Sequence, residues 1–101
     1  MSETRDIVIY MNDEDFLHKT HKDIIAWWSM SRIPKYFSEA KKIFFAHHGQ
    51  IVGYVQCDEF NPEDSIKTLV WRGKTFQYIK PIACQPFRGF RYRWFKPRRN
   101  R

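Results

Sequence analysis

The order of apolar and polar positions predicts a series of short strands with one helix near the start of the chain. The run from Ile7 to Met11 is continuously apolar and rich in β-branched side chains, which is typical of a strand buried on both faces. Asn12 ends that run and can cap a helix, and the acidic residues after it suit the positive end of a helix dipole. Apolar side chains then recur at helical spacing, so the pattern predicts a helix over residues 13–22.

The second half of the chain predicts a hairpin followed by more extended segments. Strands at 42–47 and 50–60 are joined by His48-Gly49, where glycine accepts the positive φ of a tight turn. Gly53, inside the second of these strands, indicates a bulge or the close approach of another backbone. Further strands are predicted at residues 66–71, 74–84 and 90–94. Five or six short strands with one or two flanking helices predict an α+β protein and fit a small mixed β-barrel.

The segment between the helix and the hairpin, residues 24–35, has mixed periodicity and contains two adjacent tryptophans. Neighbouring side chains of an extended chain point in opposite directions, so one ring can be core while the other lines a cleft. An exposed ring can stack on an unpaired base, hydroxyl groups can bond the base edge, and cations can hold the flanking phosphate. The candidate nucleic-acid-binding residues of this segment are Trp27, Trp28, Ser29, Ser31, Arg32 and Lys35. The alternative, with both tryptophans in the core and the arginine on the surface, stays open.

Positive charge is concentrated at the C-terminal end. The formal net charge of the 101 residues is +7, yet residues 1–83 contain as many acidic as basic side chains. The entire excess therefore lies beyond that point, where basic residues alternate with aromatic ones. This mixture suits phosphate neutralisation next to base stacking. The candidate phosphate-binding residues are Arg88, Arg91, Arg93, Lys96, Arg98 and Arg99.

Strict alternation over residues 90–94 assigns faces to the last strand. The rings of Phe90, Tyr92 and Trp94 are predicted on one side, with Arg91 and Arg93 on the other. The arginines can then bind successive phosphates of a nucleic acid, or they can simply be solvated while the rings fill the core. We expect one domain over residues 1–95 and a basic tail over 96–101.

Cysteine usage and the absence of a long apolar run point to the cytoplasm. Cys57 and Cys84 form no CxxC pair, and we expect two reduced thiols in the core. The first residues lack the charged-then-apolar pattern of a signal peptide, and no apolar run is long enough to span a membrane. The sequence therefore predicts no membrane partner.

Histidine spacing does not predict a metal or another cofactor. His18 and His21 lie three positions apart on the predicted helix, and His47 and His48 are adjacent at a turn. A catalytic zinc needs a third protein ligand, which no cysteine or HExxH-type spacing supplies.

The order of these segments resembles the PUA-like superfamily, in particular its EVE and ASCH branches. The resemblance lies in Ile7–Asn12, in Trp27–Lys35 with its Ile-Pro-Lys end, in Ile43–Val55 with Gly-Gln-Ile-Val-Gly-Tyr, and in Lys80-Pro81-Ile82 before the last strand. It covers residues 6–95 and depends on order and spacing, since no single piece is highly specific. It implies a mixed β-barrel and a cleft that holds a base or a modified nucleotide. The chain is shorter than typical EVE domains, so the resemblance does not indicate one particular modified base.

Some small ASCH-like proteins resemble amidohydrolases that act on acylated cytidine, and this resemblance implies a lysine, a threonine and a glutamate near the cleft. Lys19, Thr20 and Glu59 are the candidates in this chain, but the Gly-x-Lys-Thr-x-x-x-Arg pattern of such enzymes is absent. The first two are also predicted in the middle of the helix, where neighbouring side chains diverge by about 100°.

The sequence therefore favours a nucleic-acid-binding protein, RNA ahead of DNA on the family resemblance, over an enzyme. The nucleic acid is expected to be single-stranded or to offer an accessible base. A small hydrolase of a modified nucleoside, and a protein-interaction module whose basic tail docks on an acidic partner, are the alternatives.

Overall fold

Two β-sheets and one short helix make up residues 4–96, which are the residues described by the computed structural model. Helix α1 spans Asp13–Lys19, and a 3-10 turn spans Gly73–Thr75. The strands are β1 (Ile7–Tyr10), β2 (Ile25–Trp28), β3 (Lys42–His47), β4 (Gln50–Gln56), β5 (Glu59–Phe60), β6 (Leu69–Arg72), β7 (Gln77–Ala83) and β8 (Phe90–Tyr92). The chain is a small α+β protein dominated by strands.

The larger sheet has five strands in the order β7-β4-β3-β1-β8. The strands β1 and β3 are parallel, with Ile7 opposite Ile43, and every other pair in this sheet is antiparallel. The smaller sheet has the order β2-β6-β5 and is antiparallel throughout. Within residues 4–96 the strand pairing does not close a barrel.

The main core lies between the two sheets and is closed at one side by α1. Trp71 of β6 is fully buried against Phe45 of β3, and Phe16 of the helix packs edge-on against Phe45. A smaller cluster on the other face of the five-stranded sheet includes Phe44 and Val8. The inner strands are therefore covered on both faces, which explains the continuous apolar runs in their sequences.

The predicted hairpin is confirmed, together with the bulge in its second strand. His48 and Gly49 form the turn with φ of 51° and 74°. The register of β4 against β3 shifts so that Val52 has no partner, and β4 shifts against β7 at the same place. Gly53 follows this bulge, and a methyl group there would collide with the carbonyl oxygen of Gln77. Both predictions for this glycine, a bulge and the close approach of another backbone, are therefore confirmed.

The strand predicted over residues 50–60 is divided between the two sheets. β4 ends at Gln56, Cys57 donates its amide to the carbonyl of Lys41, and Asp58 donates to that of Val70. The chain thus leaves the five-stranded sheet and enters the smaller one within two residues. Periodicity alone does not reveal this corner, because the side chains keep alternating through it.

Helix α1 ends at Lys19, three residues earlier than predicted. The indole Nε1 of Trp71 donates to the carbonyl oxygen of Lys19, and the hydroxyl of Thr20 donates to that of Phe16. Tertiary and side-chain donors thus bond carbonyls at the helix end. The prediction of Thr20 in the middle of the helix is wrong, since Thr20 is its C-cap. None of the helices within residues 4–96 has the length and apolar character required to cross a membrane.

Both thiols are buried and free, as the sequence predicts. Burial raises the pKa of Cys57 to about 12 and also raises the pKa of Cys84. Because the thiolate is the reactive form, we expect neither thiol to react with a disulfide reagent at pH 8 in the folded protein, and both to react in denaturant. Thiol titration with and without urea measures this. Rapid reaction of Cys57 in the folded protein would contradict its placement in the core.

Candidate nucleic-acid interface

The two segments predicted from sequence to bind nucleic acid meet at strand β8. The guanidinium of Arg32 lies over the ring of Phe90, 4.8 Å from its centroid. The amide of Tyr36 donates to the hydroxyl of Tyr92 at 2.8 Å. The loop after β2 therefore packs against the core-facing side chains of the last strand. Lys35 is exposed on the same loop, with its ammonium 5.8 Å from the ring centroid of Tyr36.

Arg5 joins this group from the start of the chain. Its guanidinium lies 4.8 Å from the ring centroid of Tyr92, and its amide donates to the carbonyl of Tyr36. Tyr36 is 42% exposed and its ring centroid lies 5.8 Å from that of Tyr92, so a partly exposed aromatic pair lies next to Arg5. Nothing in the local sequence around Arg5 indicates this role, because its neighbours come from residues far along the chain.

Arg91 of β8 and Arg93, the residue after the strand, both lie on the side of the smaller cluster, as the alternation predicts. Phe90 and Tyr92 pack against the main core, whereas the guanidinium of Arg91 lies 4.8 Å from the ring centroid of Phe87, part of the smaller cluster. Arg91 is exposed. The strand predicted over residues 90–94 ends at Tyr92, so the alternation does not extend to Trp94, whose side chain is 50% exposed.

Arg93 is held by partners within the chain. Its Nη1 donates to Asp6 Oδ2 at 2.9 Å, and its Nε donates to the carbonyl oxygen of Phe95. The second carboxylate oxygen of Asp6 accepts the amide of Lys42. The Arg93 side chain is only 25% exposed. This arginine therefore joins the ends of three strands, and the exposed cation of β8 is Arg91.

A cleft of about 310 Å³ lies between β7 and the C-terminal segment. It is lined by Lys80, Pro81, Ile82, Phe95 and Lys96. Two ammonium groups next to an aromatic ring and an apolar floor match the chemistry of a nucleotide, which has a charged phosphate and a flat base. The charge pattern of the sequence predicts Lys96 as a phosphate-binding residue. It does not predict Lys80, because a single lysine on an exposed strand gives no local indication of a binding site.

A broader depression of about 740 Å³ follows the loop Phe60–Ser65. Its lining includes the acidic residues Glu63 and Asp64. Backbone amides of Ile66 and Lys67 donate to the carboxylate of Asp64 and lower its pKa, so it stays ionised. Negative charge makes this depression unsuitable for a polyanion in spite of its size.

The tryptophan pair divides between core and surface, as one of the two sequence alternatives predicts, and the first ring is the exposed one. Trp28 packs against the main core, and Trp27 is 41% exposed. The ammonium of Lys19 lies 4.9 Å from the ring centroid of Trp27 and donates to its carbonyl oxygen. Ser29 and Ser31 are exposed. Trp27 is thus already covered in part by a cation from α1.

The remaining candidates are exposed or lie outside the described residues. Arg88 and Lys96 are exposed on the C-terminal segment. Arg98 and Arg99, with most of the predicted tail, lie outside residues 4–96.

Comparisons with protein-family models, with curated proteins and with solved structures gave no match.

Of the three residues considered for hydrolysis, two bond backbone carbonyls and the third is exposed. The hydroxyl of Thr20 donates to the carbonyl of Phe16 at 2.7 Å, and Lys19 is held by the Trp27 carbonyl. Glu59 is exposed on β5, opposite Val70. A threonine whose hydroxyl proton is donated to a backbone carbonyl is poorly placed for nucleophilic attack.

One cluster of titratable side chains has no signal in the local sequence. Asp13, at the first position of α1, lies between the imidazoles of His47 and His48 at the end of β3. Hydrogen bonds from His48 and His47 lower the pKa of Asp13. The sequence shows that the two histidines are neighbours. The start of α1, which supplies the carboxylate, is brought to them only by the tertiary fold.

Proposed function

We propose that this protein binds single-stranded nucleic acid, RNA in preference to DNA, along the C-terminal segment from Arg88 to Lys96. The observation that carries the proposal is the packing of the Arg32–Tyr36 loop against β8. Arg32 and Arg5 lie against the core-facing rings Phe90 and Tyr92, while Arg91 is exposed on the opposite face of the same strand. Cations from three separate parts of the sequence thus lie on the two sides of one short strand at the edge of a sheet.

The chemistry of this surface fits a flexible polyanion better than a rigid duplex. Exposed arginines bind phosphates, while the exposed rings of Tyr36 and Trp94 are available to stack on bases. A base in duplex is already stacked on its neighbours and cannot reach such rings. The cleft lined by Lys80, Phe95 and Lys96 is a candidate position for one base with its phosphate.

A PUA-like scaffold is part of this proposal, and so are the preference for RNA, the barrel and a cytoplasmic location. Support for the barrel comes from the corner at Cys57–Asp58, where one strand passes from the larger sheet to the smaller one. Corners of this kind join two sheets into an open barrel. Free buried thiols agree with a reducing compartment.

Fluorescence anisotropy with labelled single-stranded RNA, single-stranded DNA and duplex DNA tests the proposal. We expect affinity to fall linearly with salt on logarithmic axes, because binding releases counterions, and we expect both single strands to bind better than the duplex. Arg32→Ala and Arg91→Ala should each weaken binding about 5- to 10-fold and reduce the salt slope by about 0.7.

Lys67→Ala is the matched control, because it removes the same charge from an exposed loop outside the proposed surface. It should change the affinity by less than about 2-fold. An equal effect of Lys67→Ala and Arg91→Ala would mean that net charge, and not this surface, determines binding. Absence of binding to all three nucleic acids at low salt would overturn the proposal. A preference for DNA would overturn the choice of RNA alone.

A further inference from the structure

Three potential metal ligands from two distant parts of the sequence meet at one end of the five-stranded sheet. Asp13 begins α1, while His47 and His48 end β3 and enter the hairpin turn. One ligand atom from each of the three residues lies within 4.8 Å of those of the other two. The Nδ1 of His47 is 3.2 Å from Asp13 Oδ1, and the Nε2 of His48 contacts Asp13 Oδ2.

The hairpin turn brings the two imidazoles to the same side. Consecutive residues of a strand point to opposite faces, so a histidine pair within β3 would be separated. His48 instead adopts a φ of 51° in the turn, and its ring centroid lies 5.1 Å from that of His47. The strand end and the turn therefore supply two nitrogen ligands on one side of the hairpin.

Contacts with the rest of the fold hold these ligands in place. The His47 ring stacks on Phe16 of α1 with centroids 3.9 Å apart, which fixes its orientation. The hydroxyl of Tyr10 accepts the amide of Gly49, so the turn is fixed to β1. The side chain of Asn12 caps α1 through the amide of Asp15, and this positions the start of the helix. The three ligands are therefore largely preorganised, and binding of an ion would cost little further conformational entropy.

We propose that Asp13, His47 and His48 form a binding site for a divalent transition-metal ion of the Zn²⁺ class. Two imidazoles and a carboxylate are a ligand set that suits Zn²⁺, Co²⁺ or Ni²⁺, whereas Mg²⁺ prefers oxygen ligands alone. The Asp13 and His48 side chains are 57% and 69% exposed, so an ion can enter from solvent and keep water in its open positions.

Zinc titration by isothermal calorimetry, on the full chain without a histidine tag, tests this site. We expect saturable binding of one Zn²⁺ per chain and no binding of Mg²⁺. His48→Gln and Asp13→Asn should each weaken Zn²⁺ binding at least about 10-fold, since each removes a direct ligand. Absorption spectra of the Co²⁺-loaded protein should lose intensity in the same two variants, which reports coordination directly.

His18→Gln is the matched control, because His18 is exposed on the same helix but outside the cluster. It should bind Zn²⁺ as the unchanged protein does. Thermal melts without metal should show all three variants folded. If the cluster only forms hydrogen bonds, no saturable Zn²⁺ binding will be seen, and this result would overturn the proposal. Equal losses for His18→Gln and His48→Gln would overturn it as well.

Discussion

Replacing Gly53 by alanine should lower the free energy of unfolding by about 3 kcal/mol. A methyl group at this position would meet the carbonyl oxygen of Gln77 and the ring of Phe76. The carbonyl belongs to β7, which pairs with β4 at this point, so it cannot move without breaking the ladder. Phe76 in turn packs on Phe45 and Phe16 of the core. Urea denaturation followed by tryptophan fluorescence measures the change.

Gly89→Ala is the appropriate comparison for this variant. Gly89 has a φ of 74° with open space around it, so alanine there is strained but meets no neighbour. Its cost should be about 1 kcal/mol. If the two alanine variants lost the same stability, the close approach of β7 to Gly53 would not be the cause.

Replacing Asp6 by alanine should cost about 2 kcal/mol of stability. Asp6 accepts hydrogen bonds from Arg93 and from the amide of Lys42, and its side chain is only 14% exposed. Its removal leaves the partly buried guanidinium of Arg93 without its carboxylate and the amide of Lys42 without an acceptor. Leaving a partly buried charged group unpaired costs more stability than breaking an exposed ion pair does.

A double-mutant cycle with Arg93→Ala separates the ion pair from the rest of the effect. If the pair is coupled, the double variant should be more stable than the sum of the two single losses predicts, by about 1 kcal/mol. Arg91→Ala is the control and should change stability by less than about 0.5 kcal/mol, because this side chain is exposed. Strict additivity of Asp6→Ala and Arg93→Ala would show that the observed contact does not contribute.

These stability effects determine which arginine informs on ligand binding. Sequence alternation treats Arg91 and Arg93 as equivalent, and it is correct about the face of the strand on which they lie. Alternation carries no information about a partner at the opposite end of the chain, which is where Asp6 is found. A loss of nucleic-acid affinity in Arg93→Ala would therefore combine folding and binding, whereas Arg91→Ala reports on binding alone.

Local signals predicted the elements that local physics determines. The turn at His48-Gly49, the cap at Asn12 and the apolar strand at Ile7 each follow from side-chain chemistry within a few residues. The end of α1 does not follow from local chemistry, because the indole that bonds the carbonyl of Lys19 belongs to Trp71 of β6 in the smaller sheet. The same limit applies to the corner at Cys57, where the chain changes sheets.

The candidate nucleic-acid-binding surface shows the same difference between local sequence signals and tertiary contacts. Arginines and aromatic rings of the C-terminal segment are visible in the sequence as an alternating pattern. Arg5 and Lys80, in contrast, join that surface only through tertiary packing. Which ring of the adjacent tryptophan pair is exposed also depends on how β2 packs in the smaller sheet. Sequence therefore predicts which chemistry is present more readily than which side chains share a surface.

Strand order also has a consequence for the time at which the protein can fold during synthesis. β1 lies inside the larger sheet, between β3 and β8, and Ile7 pairs with Tyr92. One edge of β1 therefore stays without its partner until nearly the whole described chain has left the ribosome. The larger sheet is completed only when β8 is available, and pairing of Ile7 with Tyr92 closes a long loop, which is a slow step in folding.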